Sequence, residues 1–437
     1  MRQATNVLLV CVLAAGLLSQ AAHATITLEA DWEEEGVPIT LSEDVILGAP
    51  PGITLRTNLH APPGADIIVM APINDDPVNP THLYFDAGTA GTVYVGSAIG
   101  ELVPVAGVDI LTAGRVDLAG VRTQGPGGIT GGNAPAGTTL NGNLATQGGA
   151  ITLQGNIVLG LSAAITLDSS GGGGGSGAIT FSGTVDDDTL SATTLFLKAG
   201  TGNVTLQGAV GGLIAPFGLT VVSANQVSLA AVTSAGPITV AATKLTVNGA
   251  MASGGMAVTL NASTIDLKAV IQTGGGALTG TASTVNLSSG GSLQNAVDVA
   301  APGATLHVAG ATYNESVTVA TALTMDLLDT TTISQALSIQ NNVGLSGLAA
   351  YLAVDALAIS GEAMLDVGSM PVHVNSDVED TLDEWIGDGR LLSSTWGANL
   401  DAVYDIDYNW TYVTPEPASA TILIAGLAGL FLRRRLR

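Results

Sequence analysis

Two short apolar–polar–apolar runs recur between positions 217 and 291 with a period of roughly 20 residues, and this spacing constrains the fold more than any other feature of the chain. The first series reads Leu219-Thr220-Val221, Ile238-Thr239-Val240, Val258-Thr259-Leu260 and Leu278-Thr279-Gly280, with nearly even starts at positions 219, 238, 258 and 278. The second reads Val227-Ser228-Leu229, Leu245-Thr246-Val247, Ile265-Asp266-Leu267 and Val285-Asn286-Leu287. Period-two alternation sends the aliphatic side chains to one side and the polar ones to the other. A strand of this length cannot bury its face alone. Stacked coils can, because each strand pairs with its equivalent in the next coil and the aliphatics fill a narrow shared core. The pattern predicts an all-β, parallel β-solenoid. Gly254-Gly255 and Gly274-Gly275-Gly276 sit where its turns need positive φ.

Composition agrees with that architecture. Charged residues make up 11% and aromatic residues 4% of the 437-residue chain, which carries 57 glycines. Equivalent side chains in stacked coils lie about 4.8 Å apart, so like charges repel there while Thr, Ser and Asn ladders can hydrogen-bond. A thin core also leaves little room for rings. A longer repeat overlies the coils: residues 91–126 align without gaps on 202–237, matching Val93 with Val204, Gly107 with Gly218 and Val116 with Val227. The solenoid is therefore expected to begin before residue 91.

The chain has 12 basic and 36 acidic residues, and five of the basic ones (Arg2, Arg433, Arg434, Arg435, Arg437) lie at its two ends. So acidic a body lacks the basic footprint that nucleic acid needs. Cys11 is the sole cysteine, so disulfide and thiolate chemistry are not expected of the body.

Both ends read as sorting signals. Arg2, the apolar run Val7 to Leu18 and Ala22-His23-Ala24 have the three-part layout of a secretory signal peptide, with Ala22 and Ala24 at the positions a signal peptidase reads. Cleavage is expected after Ala24. At the other end, Pro415-Glu416-Pro417 precedes an apolar run from Ala418 to Leu432 and the cluster Arg433-Arg434-Arg435-Leu436-Arg437. That run is short for a bilayer, which takes about 20 residues as helix. Flanking arginines can snorkel and favour the cytoplasmic side, so the body would face outward.

This tail resembles the PEP-CTERM sorting domain in the motif Pro415, Glu416, Pro417, the apolar run and the arginine flank of Arg433, Arg434, Arg435 and Arg437. The resemblance implies a bacterium with an extracellular polysaccharide matrix, an exosortase-type sorting enzyme as partner, and transient residence in the inner membrane. Thr414 stands where that family often has Val. Segments such as Gly149-Ala150-Ile151-Thr152-Leu153 and Gly177-Ala178-Ile179-Thr180-Phe181 resemble repeats of filamentous-haemagglutinin-like surface proteins over roughly residues 83–290. That likeness implies a right-handed parallel β-helix with a surface or adhesive role. From Leu293, the runs Leu293-Gln294-Asn295-Ala296-Val297 and Ala301-Pro302-Gly303-Ala304-Thr305-Leu306-His307-Val308 resemble the opening of a pectin-lyase-like β-helix, where a short helix precedes the first coils. Here that helix would be a side excursion from the array.

The expected organisation is a signal peptide (1–24), an acidic Pro-rich N-terminal cap (25–80), solenoid repeats (81–290), continued β-helix ending near Val374 (291–375), a C-terminal cap (376–412) and a sorting and anchor segment (413–437). Asp380 to Ile386 reads as a short helix, and Trp385, Trp396 and Trp410 as core of the cap rather than ligand platforms.

No constellation of catalytic residues stands out, and neither a cofactor nor a metal site is expected. Asp186-Asp187-Asp188, Glu33-Glu34-Glu35 and Asp75-Asp76 offer oxygens of the kind calcium takes, but as single acidic turns they read as solvated. His60, His82, His307 and His373 lack metal-ligand spacing, and Gly171 to Gly175 lacks the Lys-Ser or Lys-Thr of a phosphate loop. Between residues 200 and 290 the charged residues are Lys244, Asp266 and Lys268, at non-equivalent strand positions, which suggests no acid–base pair. The leading expectation is an exported, non-catalytic, adhesin-like component of the surface or exopolysaccharide matrix. A polysaccharide-binding module is the alternative, and a β-helix carbohydrate-active enzyme stands behind it.

Overall fold

The computed structural model describes residues 25–415, apart from 49–50, 59–62, 133, 172–175, 348–350, 396–399 and 406–408. The expected signal peptide, the apolar run and the arginine cluster lie outside the described residues.

The chain winds into an all-β parallel solenoid of about 16 turns. Successive strands take three faces in turn. Thr25–Leu28 pairs with Asp44–Leu47, which pairs with Ile73–Asp75. Trp32–Glu33 pairs with Gly52–Arg56 on the next face, and Ile39–Leu41 with Ile67–Val69 on the third. Along that third column Ile39, Ile67, Val93, Val116, Thr138, Ile157 and Val185 stand in register, one per coil. Strands such as Ile151–Leu153 and Ile179–Phe181 bury their first and third residues and leave the middle Thr half-exposed. The alternation read from the sequence is thus the division between core and surface. Phe85 and Phe181 are the largest fully buried side chains in a mostly aliphatic core.

The coils start earlier than the repeats suggest. Residues 25–80, expected as a cap, carry strands of the same parallel ladder. Their coils are longer: Ile39 pairs with Ile67 and Gly52 with His82, whereas Leu219 pairs with Ile238. The longer, Pro-interrupted turns obscure the period without breaking the pairing.

The long repeat also starts earlier, at the first strands. The pair Trp32↔Leu55 recurs as Leu144↔Leu167, Ile39↔Ile67 as Ile151↔Ile179, and Gly52↔His82 as Ala164↔Thr194, all with one common offset (32 to 144, 39 to 151, 52 to 164). The two copies are not superposed along the axis. Trp32 heads the column Leu55, Phe85, Ile110 and Gly131, whereas its equivalent Leu144 continues the column of Ile73, Ile99 and Val121. The repeat is not a whole number of coils, so the second copy is turned to the neighbouring face.

Helix α1, Leu293–Val299, is part of a coil rather than an excursion from it. It buries Leu293, Ala296, Val297 and Val299, and its Asn295 side chain accepts the backbone N–H of Ile271, the first residue of the strand Ile271–Gln272. The Ser292 hydroxyl caps it by accepting from the Asn295 N–H. The helix also explains why the strand Leu278–Gly280 ends in glycine: a Cβ on Gly280 would lie 2.8 Å from the Val299 Cβ.

The parallel strands run past Val372–Val374 to Leu391–Leu392, which pairs with Leu365–Asp366 inside the segment expected as a cap. Between these two strands helix α2, Glu379–Gly387, packs Leu382 and Trp385 into the core. An antiparallel hairpin, Leu400–Asp405 with Trp410–Pro415, closes this end, and its second strand runs antiparallel to Val372–Val374.

Candidate functional site

Two of the three acidic clusters are structural brackets. Asp186-Asp187-Asp188 reads from sequence as a solvated turn, but Val185–Asp187 is a strand in which Asp186 and Asp187 are 6% and 2% exposed. Asp186 accepts the N–H groups of Leu213 (2.7 Å) and Ile214 (3.2 Å) from the next coil. Asp187 accepts from Thr193 N (2.8 Å), and Asp188 accepts from Leu190 N (2.9 Å) and Ser191 N (2.6 Å). The set repeats around Asn74-Asp75-Asp76. Asn74 takes Leu102 N and Val103 N, Asp75 takes Thr81 N, and Asp76 takes Val78 N. A buried carboxylate keeps its place when backbone donors satisfy it, and these oxygens are committed to N–H groups instead of a cation. Burial pushes the Asp75 carboxyl up from its ordinary range, against the pull of those hydrogen bonds. Among the described residues no group of three or more His, Cys, Asp or Glu side chains could hold a metal ion.

Coil stacking makes charge contacts that spacing along the chain conceals. Lys244 and Asp266, which do not share a strand position, lie diagonally across adjacent coils with Nζ 2.7 Å from Oδ2. Asp266 also accepts from Asn286 Nδ2 of the following coil (2.6 Å). Arg56 pairs with Asp86, and in the second copy of the long repeat Asp168 pairs with Lys198 at 2.9 Å, the same ladder contact with its charges exchanged.

His307 Nδ1 lies 2.6 Å from Asp326 Oδ2 one coil away. His373 stacks on Tyr351 (4.4 Å) and meets Tyr412 edge-on (4.5 Å), and burial lowers its pKa from the ordinary imidazole range. His82 stacks on Tyr84 at 4.6 Å. Its Nε2 is 3.1 Å from Asp109 Oδ2, within ion-pair range but off the line of a hydrogen bond. The His82 ring holds the Asp109 carboxyl below its usual range. His60 lies outside the described residues.

Trp385 is 8% exposed, with the Arg390 guanidinium 5.9 Å from its ring, so it is core of the cap. Trp410 is half-buried beside His373, and Trp396 lies outside the described residues. Of the sorting motif, Pro415 ends the closing strand Trp410–Pro415, while Glu416 and Pro417 lie outside the described residues, as do Ala22 and Ala24. No helix among the described residues is long and apolar enough to cross a membrane.

Two open concavities adjoin at one corner of the solenoid. One, of about 660 Å³, is lined by Arg122, Thr146, Gln147, Asp168 and Lys198. The other, of about 540 Å³, is lined by Pro51, His82, Tyr84, Gln124 and Pro126. Gly125 and Gln147 belong to both, so they form a single groove.

Comparison with protein-family models, with curated proteins and with solved structures found no match to this chain.

Proposed function

We propose that this is an exported, non-catalytic, adhesin-like component of the cell surface or exopolysaccharide matrix, sorted through its C-terminal tail by an exosortase-type enzyme. In this reading the signal peptide is removed after Ala24. The run Ala418 to Leu432 is a short transmembrane helix held by Arg433, Arg434, Arg435 and Arg437 until release. The coils wind as a right-handed β-helix.

What supports it is the pairing of two sequence signals, the three-part leader ending at Ala24 and the Pro415-Glu416-Pro417 tail with its arginine flank, on either side of a body that is a parallel β-solenoid. Val413 is fully buried in the closing strand, so a cut after Pro415 spares the cap. A rigid, acidic rod of stacked coils suits a surface or matrix component, although fold alone assigns no ligand.

Mapping the terminal peptides of the native protein from the extracellular fraction tests this. An N-terminus at Thr25 with a C-terminus between Val413 and Pro417 is expected. An intact tail on protein confined to the inner membrane would reduce the tail to an anchor and remove the support for a matrix role.

A further inference from the structure

We propose that the corner groove between Tyr84 and Lys198 binds an acidic polysaccharide, with Arg122 taking a sugar carboxylate and the Tyr84–His82 stack taking a sugar face. This rests on the matrix reading above and gives it a site and a ligand class. The groove crosses successive coils from the corner at Pro51 to that at Lys198. At about 4.8 Å per coil it is long enough for an extended oligomer, and it is open along its length rather than a closed cavity.

Charge is the first argument. The chain carries 36 acidic and 12 basic residues, yet this groove has two cations. Arg122, Ala145, Asp168 and Lys198 occupy equivalent positions in four successive coils. Lys198 is neutralised by Asp168 at 2.9 Å. Arg122 is exposed and, among the described residues, has no hydrogen-bond or ion-pair partner. Ala145 between Arg122 and Asp168 leaves a notch that a longer side chain would fill. A guanidinium facing such a notch is free to make the paired, charge-assisted hydrogen bonds that a carboxylate accepts.

Shape and polarity are the second. The His82 and Tyr84 rings lie flat at the corner because glycines stand beside them. A Cβ on Gly107 would come within 2.4 Å of His82 Cε1, and one on Gly52 within 2.8 Å of Tyr84 Cε2. Between this platform and Arg122 stand Gln124 and Gln147. Gln124 donates to the Pro104 carbonyl (2.7 Å), which fixes its amide with the oxygen free to accept. A flat ring, planar amides and an unpaired guanidinium in an open trough suit a hydroxyl-rich, carboxylate-bearing chain. The duplication does not build a second such groove, because Thr233 stands where the alignment of 91–126 on 202–237 would place another Arg122.

The test is calorimetric titration of the exported chain with an oligogalacturonate and with a neutral cello-oligosaccharide of equal length. Preferential, salt-sensitive binding of the uronate is expected. Arg122→Gln should weaken it at least tenfold, and Ala145→Leu, which fills the notch without changing charge, should abolish it. Arg115→Gln, the same charge change outside the groove, should leave it unaltered, and melting curves of all variants should match the parent. No uronate binding, or equal losses in Arg122→Gln and Arg115→Gln, would overturn the site. Co-sedimentation with native matrix separates the two readings: retention of Arg122→Gln at the parental level overturns the groove but leaves the matrix role. Failure of the parent chain to co-sediment removes both.

Discussion

The two ends of the solenoid solve the same problem differently. A stack of parallel strands ends in a row of unpaired backbone groups, which invites edge-to-edge association. At the C-terminal end one face is covered, since Trp410–Pro415 lies antiparallel across Val372–Val374 with Val413 fully buried, and helix α2 packs Leu382 and Trp385 into the core. At the N-terminal end Thr25–Leu28, Trp32–Glu33 and Ile39–Leu41 each pair on one side only among the described residues, with Glu29, Asp31, Glu33 and Glu35 exposed along the rim. One end is closed by packing and the other is guarded by charge. Packing contributes stability; repulsion contributes only solubility and at most a small destabilisation.

Substitutions sharpen this contrast. Val413→Asp buries a charge in the closing strand and should cost about 3–5 kcal/mol or cause aggregation, whereas Ile26→Asp at the half-exposed first strand should cost about 1 kcal/mol or less. Urea unfolding of both variants measures it, and equal losses would break the comparison. An interior reference is Asp187→Ala, which strands the Thr193 N–H and should cost roughly 1–3 kcal/mol in the same assay. Replacing Glu29, Asp31, Glu33 and Glu35 by their amides should leave unfolding nearly unchanged. Sedimentation should then show self-association absent in the parent, and a persistent monomer would mean that charge is not the guard.

A pH dependence arises at the covered end. Burial lowers the His373 pKa below the 6.5 of the free imidazole. As pH falls through 6.5 the unfolded chain takes up a proton that the folded chain refuses. Stability there should therefore drop by up to about 1.4 kcal/mol per pH unit below 6.5 until the folded pKa is reached. Trp fluorescence during denaturation on either side of that pH should show this loss, and His373→Phe should abolish it.

Much of the fold was legible. The aliphatic triplets became core strands, Gly255, Gly274 and Gly275 took positive φ at the turns, and helices formed at Leu293–Val299 and Glu379–Gly387. These are local matters, decided by side-chain period and backbone freedom. The candidate site was less legible. Asp186 read as solvated because its donors, the N–H groups of Leu213 and Ile214, come from the next coil, and Asp187 because its donor, the Thr193 N–H, lies at the far end of the loop that follows it. The corner groove had no local signature, since Tyr84, Gln124, Gln147 and Arg122 meet only once coils of different length are stacked.

From sequence alone, then, came the kind of structure: period-two triplets with glycine turns admit stacked coils, and residues 91–126 and 202–237 are copies. Only stacking decided which copy faces where. Coil lengths vary, so the displacement that carries Trp32 onto Leu144 is not a whole number of turns, and the two stand in different columns. The Arg56–Asp86 ladder pair and its charge-exchanged copy Asp168–Lys198 therefore belong to different faces. The accumulated winding of every intervening turn sets that outcome, and no local stretch of sequence encodes it.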